Sequence, residues 1–401
     1  MHRRSFLATT MSTSVVAAVS SSSPTTAVAA EERVKGLTKA SIPTPALLVD
    51  LDIYEANIRA MADHARQAKV SLRPHAKTHK CPEIAKRQIA AGAIGICAAT
   101  VAEAEALAAA GIKNLLLTSP IVDPGKCSRI MAIATSGCKI LLSVGHVREA
   151  DLLAQAAAPN AKLDILVDLD VGDKRTGSLP LQPALELAQQ ISRYKNLTIR
   201  GVQAYAGHAS HTVGFENRQR VSREAISKAV ETKALLNKAG FDAQILSGGS
   251  TGTYNIDSEI EGLTELQVGS YVFMDVDYRR IGSRNGNAIY TDFQPSLTVL
   301  ATVISATHAG RVTIDAGTKA LDTTTANLPQ AKNLEGVVYT KAGDEFGALT
   351  SETGKLPALG ERLELIVPHC DPSVNLYDRL YACRGDQVES LWPIAARRET
   401  H

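Results

Sequence analysis

Aromatic side chains are scarce in this chain, at 4% of 401 residues. That leaves little material for a platform on which nucleic-acid bases could stack. Charge of one sign is also lacking. With 43 Lys and Arg against 41 Asp and Glu, the formal net charge is +2, so no polyanion partner is implied. Beyond the first thirty residues no long apolar run occurs, none of the six cysteines forms a Cys-x-x-Cys pair, and no Gly-x-Gly-x-x-Gly follows the first strand-like run. A dinucleotide-binding open sheet and a thiol redox motif are thereby disfavoured. What is present is a chain 45% hydrophobic, enough for one large core or two moderate ones. The classes that act on small molecules survive best.

Residues 1–30 read as a leader. Arg3-Arg4 stands directly before Phe6-Leu7, a weakly apolar stretch runs from Leu7 to Val19, and Ala27-Val28-Ala29 resembles a cleavage site. This pattern predicts a bacterial export signal of the twin-arginine type, hence a folded, periplasmic protein without a membrane span in its mature form. The cysteines (Cys81, Cys97, Cys127, Cys138, Cys370, Cys383) mostly lie in apolar stretches and are expected to be buried and reduced.

From Lys69 to Met274, apolar runs alternate with Ala-, Glu- and Lys-rich helical patterns. The runs are 70–73, 93–98, 115–118, 140–144, 163–167, 199–204, 244–246 and 266–273. They lack polar alternation, as strands buried on both faces do, and helical stretches such as 101–110 and 220–239 end near Gly111 and Gly240. Eight such units predict an α/β fold, a (β/α)8 TIM-type barrel, over 53–285. After about Asp292 short runs are separated by Gly, Asp and Pro, predicting a C-terminal antiparallel β domain over 286–401. A segment over 31–52 carries one further strand, Ala46–Val49, able to pair with either unit.

Three clusters carry chemistry. The end of the first barrel strand reads Arg73-Pro74-His75-Ala76-Lys77-Thr78-His79-Lys80. A lysine at a strand end among neighbouring cations is expected to have a lowered pKa and to act as an amine nucleophile. The seventh run ends in Ser247-Gly248-Gly249-Ser250-Thr251-Gly252-Thr253, small residues whose N–H groups can converge on a phosphate. A strand-one lysine facing a strand-seven phosphate cradle fits an aldehyde cofactor with a phosphate handle, pyridoxal 5'-phosphate. In the β domain, His369-Cys370-Asp371 places imidazole and carboxylate two apart. In an extended segment they would share one face and one divalent metal (Mn, Mg or Zn), with Cys370 turned away.

These segments, together with Asp170 to Gly177, Gly201-Val202-Gln203-Ala204-Tyr205, Gln267 to Tyr271, Met274 to Tyr278 and Asp315-Ala316-Gly317, resemble the D-threonine aldolase and D-serine dehydratase family. That family comprises metal-activated pyridoxal-phosphate enzymes of the alanine racemase fold, and the resemblance runs from about Pro43 to the end. It implies Lys77 as the Schiff-base lysine, Ser247, Gly248, Gly249, Ser250 and Thr251 as phosphate cradle, and His369 and Asp371 as metal ligands. It implies His211 as a histidine on the substrate side and Arg175, Thr176, Gln203, Tyr205 and Tyr254 as cofactor-facing positions. It also implies a homodimer whose sites use both chains, with Ala46–Val49 joining the β domain. The chain departs from the family at Ser210, where Gln is usual, and in an additional histidine, His208, which competes with His211 for the role of base.

The resemblance leaves two outcomes for a D-β-hydroxy amino acid. Cleavage of Cα–Cβ, with His211 or metal-bound water taking the hydroxyl proton, is the aldolase outcome. Loss of the hydroxyl after Lys77 removes the Cα proton is the dehydratase outcome, acting on D-serine or 3-hydroxyaspartate. Eukaryotic D-serine dehydratases usually carry His-x-Cys, which favours the aldolase here, and bacterial 3-hydroxyaspartate dehydratases are expected to share His-x-Asp. An amino-acid racemase, or a carrier that binds the cofactor without turnover, is the remaining alternative.

Overall fold

The computed structural model describes residues 34–157, 161–322, 325–351 and 354–397. The leader expected over 1–30 lies outside them. Eight parallel strands, β2 (Ser71–Leu72), β3 (Ile96–Ala98), β4 (Asn114–Leu117), β5 (Lys139–Val144), β6 (Leu163–Asp168), β7 (Leu197–Ala204), β8 (Ile245–Gly248) and β9 (Glu265–Leu266), form one sheet in the order β2-β9-β8-β7-β6-β5-β4-β3. The ring closes where Ile94 N–H donates to Leu72 O (2.9 Å) and His75 bridges to Cys97. Helices cross over between successive strands, and Gly111 and Gly240 stand after two of them at φ 93° and 91°, where a side chain would be strained.

The last apolar run is the exception to the reading by texture. Only Glu265–Leu266 is strand, and Ser270–Val272 is a 3-10 turn. The chain there leaves the barrel wall and packs across the mouth, with a Cβ on Gly269 only 2.7 Å from Thr78 Oγ1. Its residues are apolar because the turn is roofed, not because it pairs.

The second sheet has nine strands: β1 (Ala46–Asp50), β10 (Leu297–His308), β11 (Arg311–Ile314), β12 (Gln330–Ala331), β13 (Val337–Lys341), β14 (Gly347–Ser351), β15 (Arg362–Ile366), β16 (Arg379–Arg384) and β17 (Gln387–Pro393). It is antiparallel except where β1 runs parallel to β16. β1 lies between β10 and β16, and Asp50, whose carboxylate caps Ile53 N–H at 3.2 Å, turns the chain straight into the helix Leu51–Ala68. Leu47 and Val49 on one face join a core continuous with the barrel, while Ala46 and Leu48 pack with Leu300 and Val388 on the other. The alternation is what a strand covered on both faces requires. Inside the barrel, Cys97, Leu116, Leu141 and Leu166 form a plug, and Arg73 makes a buried bidentate pair with Glu265 (2.8 and 2.9 Å). All six cysteines are free and buried. Among the described residues no helix is long and apolar enough to cross a membrane.

Candidate active site

β2 ends at Leu72, and after Pro74 the residues Ala76–Thr78 form a 3-10 turn that puts Lys77 at the barrel mouth. The turn is held by its own side chains. His75 Nδ1 accepts from Lys77 N–H (3.3 Å), His79 Nδ1 accepts from Cys81 N–H (3.0 Å), and Lys80 Nζ donates to Lys77 O (2.6 Å). Two of the expected neighbouring cations are not charged. Burial drives His75 well below the ordinary imidazole value and His79 down to about 3, so both rings are neutral. Lys77 Nζ instead lies 3.4 Å from Asp371 Oδ2. That carboxylate raises the Lys77 pKa, opposite to the lowering read from the sequence. Protein surrounds the amine, yet its side chain stays 38% accessible because the mouth above is open.

Four carbonyls of the Ser247–Thr253 turn are engaged by the protein. Gly248 O accepts from Gln267 N–H (2.7 Å), Ser250 O from Thr253 N–H (3.2 Å), Thr251 O from Tyr290 O–H (2.9 Å) and Gly252 O from Arg218 Nε (2.7 Å). With these carbonyls engaged, the turn has N–H groups left to face an anion, the arrangement a phosphate needs. From below, Asp257 accepts from Ser222 and Thr253 hydroxyls (2.5 Å each), and Thr253 Oγ1 accepts from Ser250 N–H (3.1 Å). Side chains are excluded where backbones touch: a Cβ on Gly248 would sit 2.3 Å from Ala204 O, and one on Gly252 2.0 Å from Ser210 O.

His369 and Asp371 are not in one extended segment. His369 is extended (φ −143°, ψ 138°) and Cys370–Val374 is a short helix, so the pair straddles a helix start. Cys370 faces the core and is fully buried. His369 Nδ1 and Cys370 N–H both reach Asp275 Oδ2 at 2.9 Å. A buried carboxylate on one ring nitrogen leaves the other free for a cation. Burial opposes the charge on His369, but Asp275, Asp371 and Asp277 raise its pKa to about 9. Burial likewise opposes charge on Asp371, yet Lys77 and His369 hold it well below the usual carboxylate range. Asp371 Oδ1 is buried without a partner, which suits a cation ligand. Among the described residues no three His, Cys, Asp or Glu form a cage, so a cation here would need water or substrate as further ligands.

Two adjoining cavities meet at Lys77. A cavity of about 240 Å3 is lined by Arg175, Thr176, Gln203, Asp168 and others, and one of about 50 Å3 by His211, Ser250, Thr251, Tyr278, His369 and Asp371. His75, Lys77, Tyr205 and Gln267 line both. The predicted residues divide accordingly. Ser250 and Thr251 reach the smaller cavity, while Gly248 and Gly249 stand behind them and Ser247 Oγ turns to Gln267 Nε2 (2.9 Å). Tyr254 lines neither cavity; its ring packs on His64 and Phe293 and its hydroxyl donates to Asp292 (3.1 Å). His211 lies with its Nδ1 2.8 Å from Asp277 Oδ2, close but without linear hydrogen-bond geometry. His208 lines neither cavity, sitting over Gly172 with Nδ1 3.8 Å from Asp173. The geometry therefore separates the two histidines.

Over residues 49–277 the chain matches the alanine racemase N-terminal domain, and over 296–383 a serine dehydratase domain. A D-threonine aldolase of Arthrobacter sp is 39% identical over 89% of this chain and 93% of its own length. The chain belongs to the D-threonine aldolase and D-serine dehydratase family. It is a family of pyridoxal-phosphate enzymes with the alanine racemase fold. A 3-hydroxy-D-aspartate aldolase of Paracoccus denitrificans (strain Pd 1222) is 35% identical over 90% of this chain and 94% of its own. The crystal structure of D-threonine aldolase from Filomicrobium marinum superposes with a TM-score of 0.87 at 35% identity, covering 91% of this chain and 99% of that one. A D-threo-3-hydroxyaspartate dehydratase, 28% identical with a TM-score of 0.79 over 89% of this chain and 96% of its own, has been solved with a histidine and, separately, a cysteine two positions on replaced, the latter in a metal-free form.

Sequence reasoning assigned no role to Gln267, Asp275, Asp277 or Tyr278. All four lie in segments recognised as motifs, but nothing in their spacing tells which way a side chain turns after a strand has ended.

Proposed function

We propose that this chain is a pyridoxal-phosphate-dependent lyase that cleaves D-configured β-hydroxy amino acids between Cα and Cβ, releasing glycine and an aldehyde. The observation that carries the reading is the one small cavity shared by Lys77, Ser250, Thr251, His211, His369 and Asp371. Lys77 would hold the cofactor by its amine, Ser250 and Thr251 its phosphate, and Tyr205, Gln203, Gln267, Arg175 and Thr176 the surrounding pocket. Bound there, the cofactor supplies a conjugated ring that takes up the electron pair released at Cα. His369 and Asp371 would hold a divalent cation (Mn, Mg or Zn), which supplies Lewis acidity toward a substrate hydroxyl. Asp277 stands 2.8 Å from Nδ1 of His211, and His211 would receive the hydroxyl proton at Nε2, the ring nitrogen remote from that carboxylate. Tyr205 and Tyr278 wall the cavity on the substrate side.

Aldolase relatives at 35–39% identity and an aspartate at position 371 favour cleavage over dehydration. The dehydratase is the second reading, favoured by the amine of Lys77 lying beside the same cavity, within reach of a Cα proton. Purified protein with pyridoxal phosphate and Mn²⁺ is expected to release glycine from D-threonine. Ammonia and 2-oxobutyrate in its place would overturn the aldolase reading, and full activity after chelation would point to a racemase. Lys77→Ala is expected to abolish the visible absorbance of the bound cofactor.

Export and assembly belong to the same proposal. Arg3-Arg4 before Phe6-Leu7 supports a periplasmic destination by the twin-arginine route; replacing both arginines by lysine should leave the protein in the cytoplasmic fraction. A homodimer, which the family resemblance implies, belongs to the same proposal and is testable by light scattering.

A further inference from the structure

Arg218 is the largest fully buried side chain among the described residues, and it has no carboxylate partner in hydrogen-bond reach. Its guanidinium is satisfied by four carbonyl oxygens: Gly252 O (2.7 Å), Thr212 O (2.9 Å), Ile281 O (2.7 Å) and Gly282 O (2.8 Å). These belong to three separate segments, namely the Ser247–Thr253 turn, the segment that follows His211, and the stretch that leaves the barrel. Its planar fork is flanked by the rings of Phe215 (5.6 Å) and Tyr290 (6.0 Å), and Tyr290 itself donates to Thr251 O, the neighbouring carbonyl of the same turn.

A buried cation without an anionic partner is costly to maintain, so its placement needs a reason. The reason lies in the direction of the peptides. A turn that surrounds an anion must send its carbonyls away from it, and each outward carbonyl in a dry interior needs a donor. Arg218 and Tyr290 supply those donors at two consecutive peptides, Thr251 and Gly252. A lysine carries its three donors on a single nitrogen and cannot reach carbonyls spread over three segments; the guanidinium fork can.

We propose that Arg218, seconded by Tyr290, is a positioning residue that sets the affinity of the site for the cofactor's phosphate group. It acts through the backbone of the turn and does not touch the cofactor. The proposal rests on the reading that this turn receives the phosphate, and the experiment separates the two. Cofactor is removed from the purified holoprotein, and pyridoxal phosphate and pyridoxal, which lacks the phosphate, are titrated by absorbance into wild type, Arg218→Lys, Arg218→Met and Tyr290→Phe. In the Arg218 variants pyridoxal phosphate is expected to bind at least about tenfold more weakly, and in Tyr290→Phe about threefold, with pyridoxal changed by less than about twofold. Tyr290→Phe removes one hydroxyl and keeps the ring, so it serves if the Arg218 variants do not fold. Equal weakening of both ligands, or no weakening of pyridoxal phosphate, overturns the role of Arg218 and Tyr290. A wild type that shows no preference for the phosphorylated ligand overturns the cradle reading and this proposal with it.

Discussion

Replacing Gly252 by alanine tests the joint between the cofactor turn and the substrate-side histidine. Gly252 is not among the glycines with positive φ, so an alanine meets no conformational penalty, only a steric one. Its Cβ would stand 2.0 Å from Ser210 O and 3.1 Å from Ile281 Cδ1. The isoleucine methyl can turn aside, but the Ser210 carbonyl is backbone in a buried turn and cannot. Contacts of that kind do not occur below 3.0 Å, so the turn and the 205–211 segment must part by about 1 Å, an overpacking that costs ~1–3 kcal/mol. If that strain falls on the cofactor-binding conformation, the dissociation constant of pyridoxal phosphate rises by about 5- to 150-fold. The assay is absorbance titration of cofactor-free Gly252→Ala, with thermal unfolding in parallel. A dissociation constant within twofold of wild type, together with an unchanged midpoint, would refute the claim that these backbones are held in contact.

Other expectations follow from the same site. Asp277→Asn should lower kcat by about 10² while KM changes little, because the orientation of His211 is lost and the pocket is not; steady-state kinetics on D-threonine decide it. Chelation should abolish turnover and spare the cofactor's absorbance. Since a proton occupies His369 below about pH 9 in the metal-free protein, cation affinity should climb as pH rises toward that value and level off above it, as read by metal titration. Burial raises the Asp257 pKa from 3.8 to about 6, so the folded state binds this proton more tightly than the unfolded chain does. Stability should therefore fall as pH rises from about 4 to 6, by at most ~3 kcal/mol. Asp257→Asn should remove that slope from urea unfolding curves.

Much of this was legible in the residue order, and the part that was not has physical causes. Unbroken apolar runs report burial on both faces, so the eight barrel strands could be located from texture alone. The same signal misled at 266–273, because burial under a neighbouring segment reads like burial in a sheet. Lys77 and Ser250-Thr251 were legible because each lies a few residues past a strand end, where the chain turns at the barrel mouth. The charge state of Lys77 was not, since its dominant neighbour, Asp371, lies almost three hundred residues away in the chain. His75 and His79 look like cations in the sequence and are neutral in the fold, because protonation depends on desolvation that only packing creates. Tyr254 follows the cradle in sequence, yet the short helix Tyr254–Asp257 turns its ring away from the mouth.

The position of β1 has a consequence for biosynthesis. This apolar segment is made near the start of the chain, but one of its two neighbours, β16, begins at Arg379, about 330 residues later. At ~5–20 residues per second, the ribosome takes about 15–65 s to supply it. For most of that interval Ala46–Val49 has neither of its neighbours, because β10 begins only at Leu297. The nascent chain therefore has a defined window in which a chaperone must shield its beginning while its end is still being written.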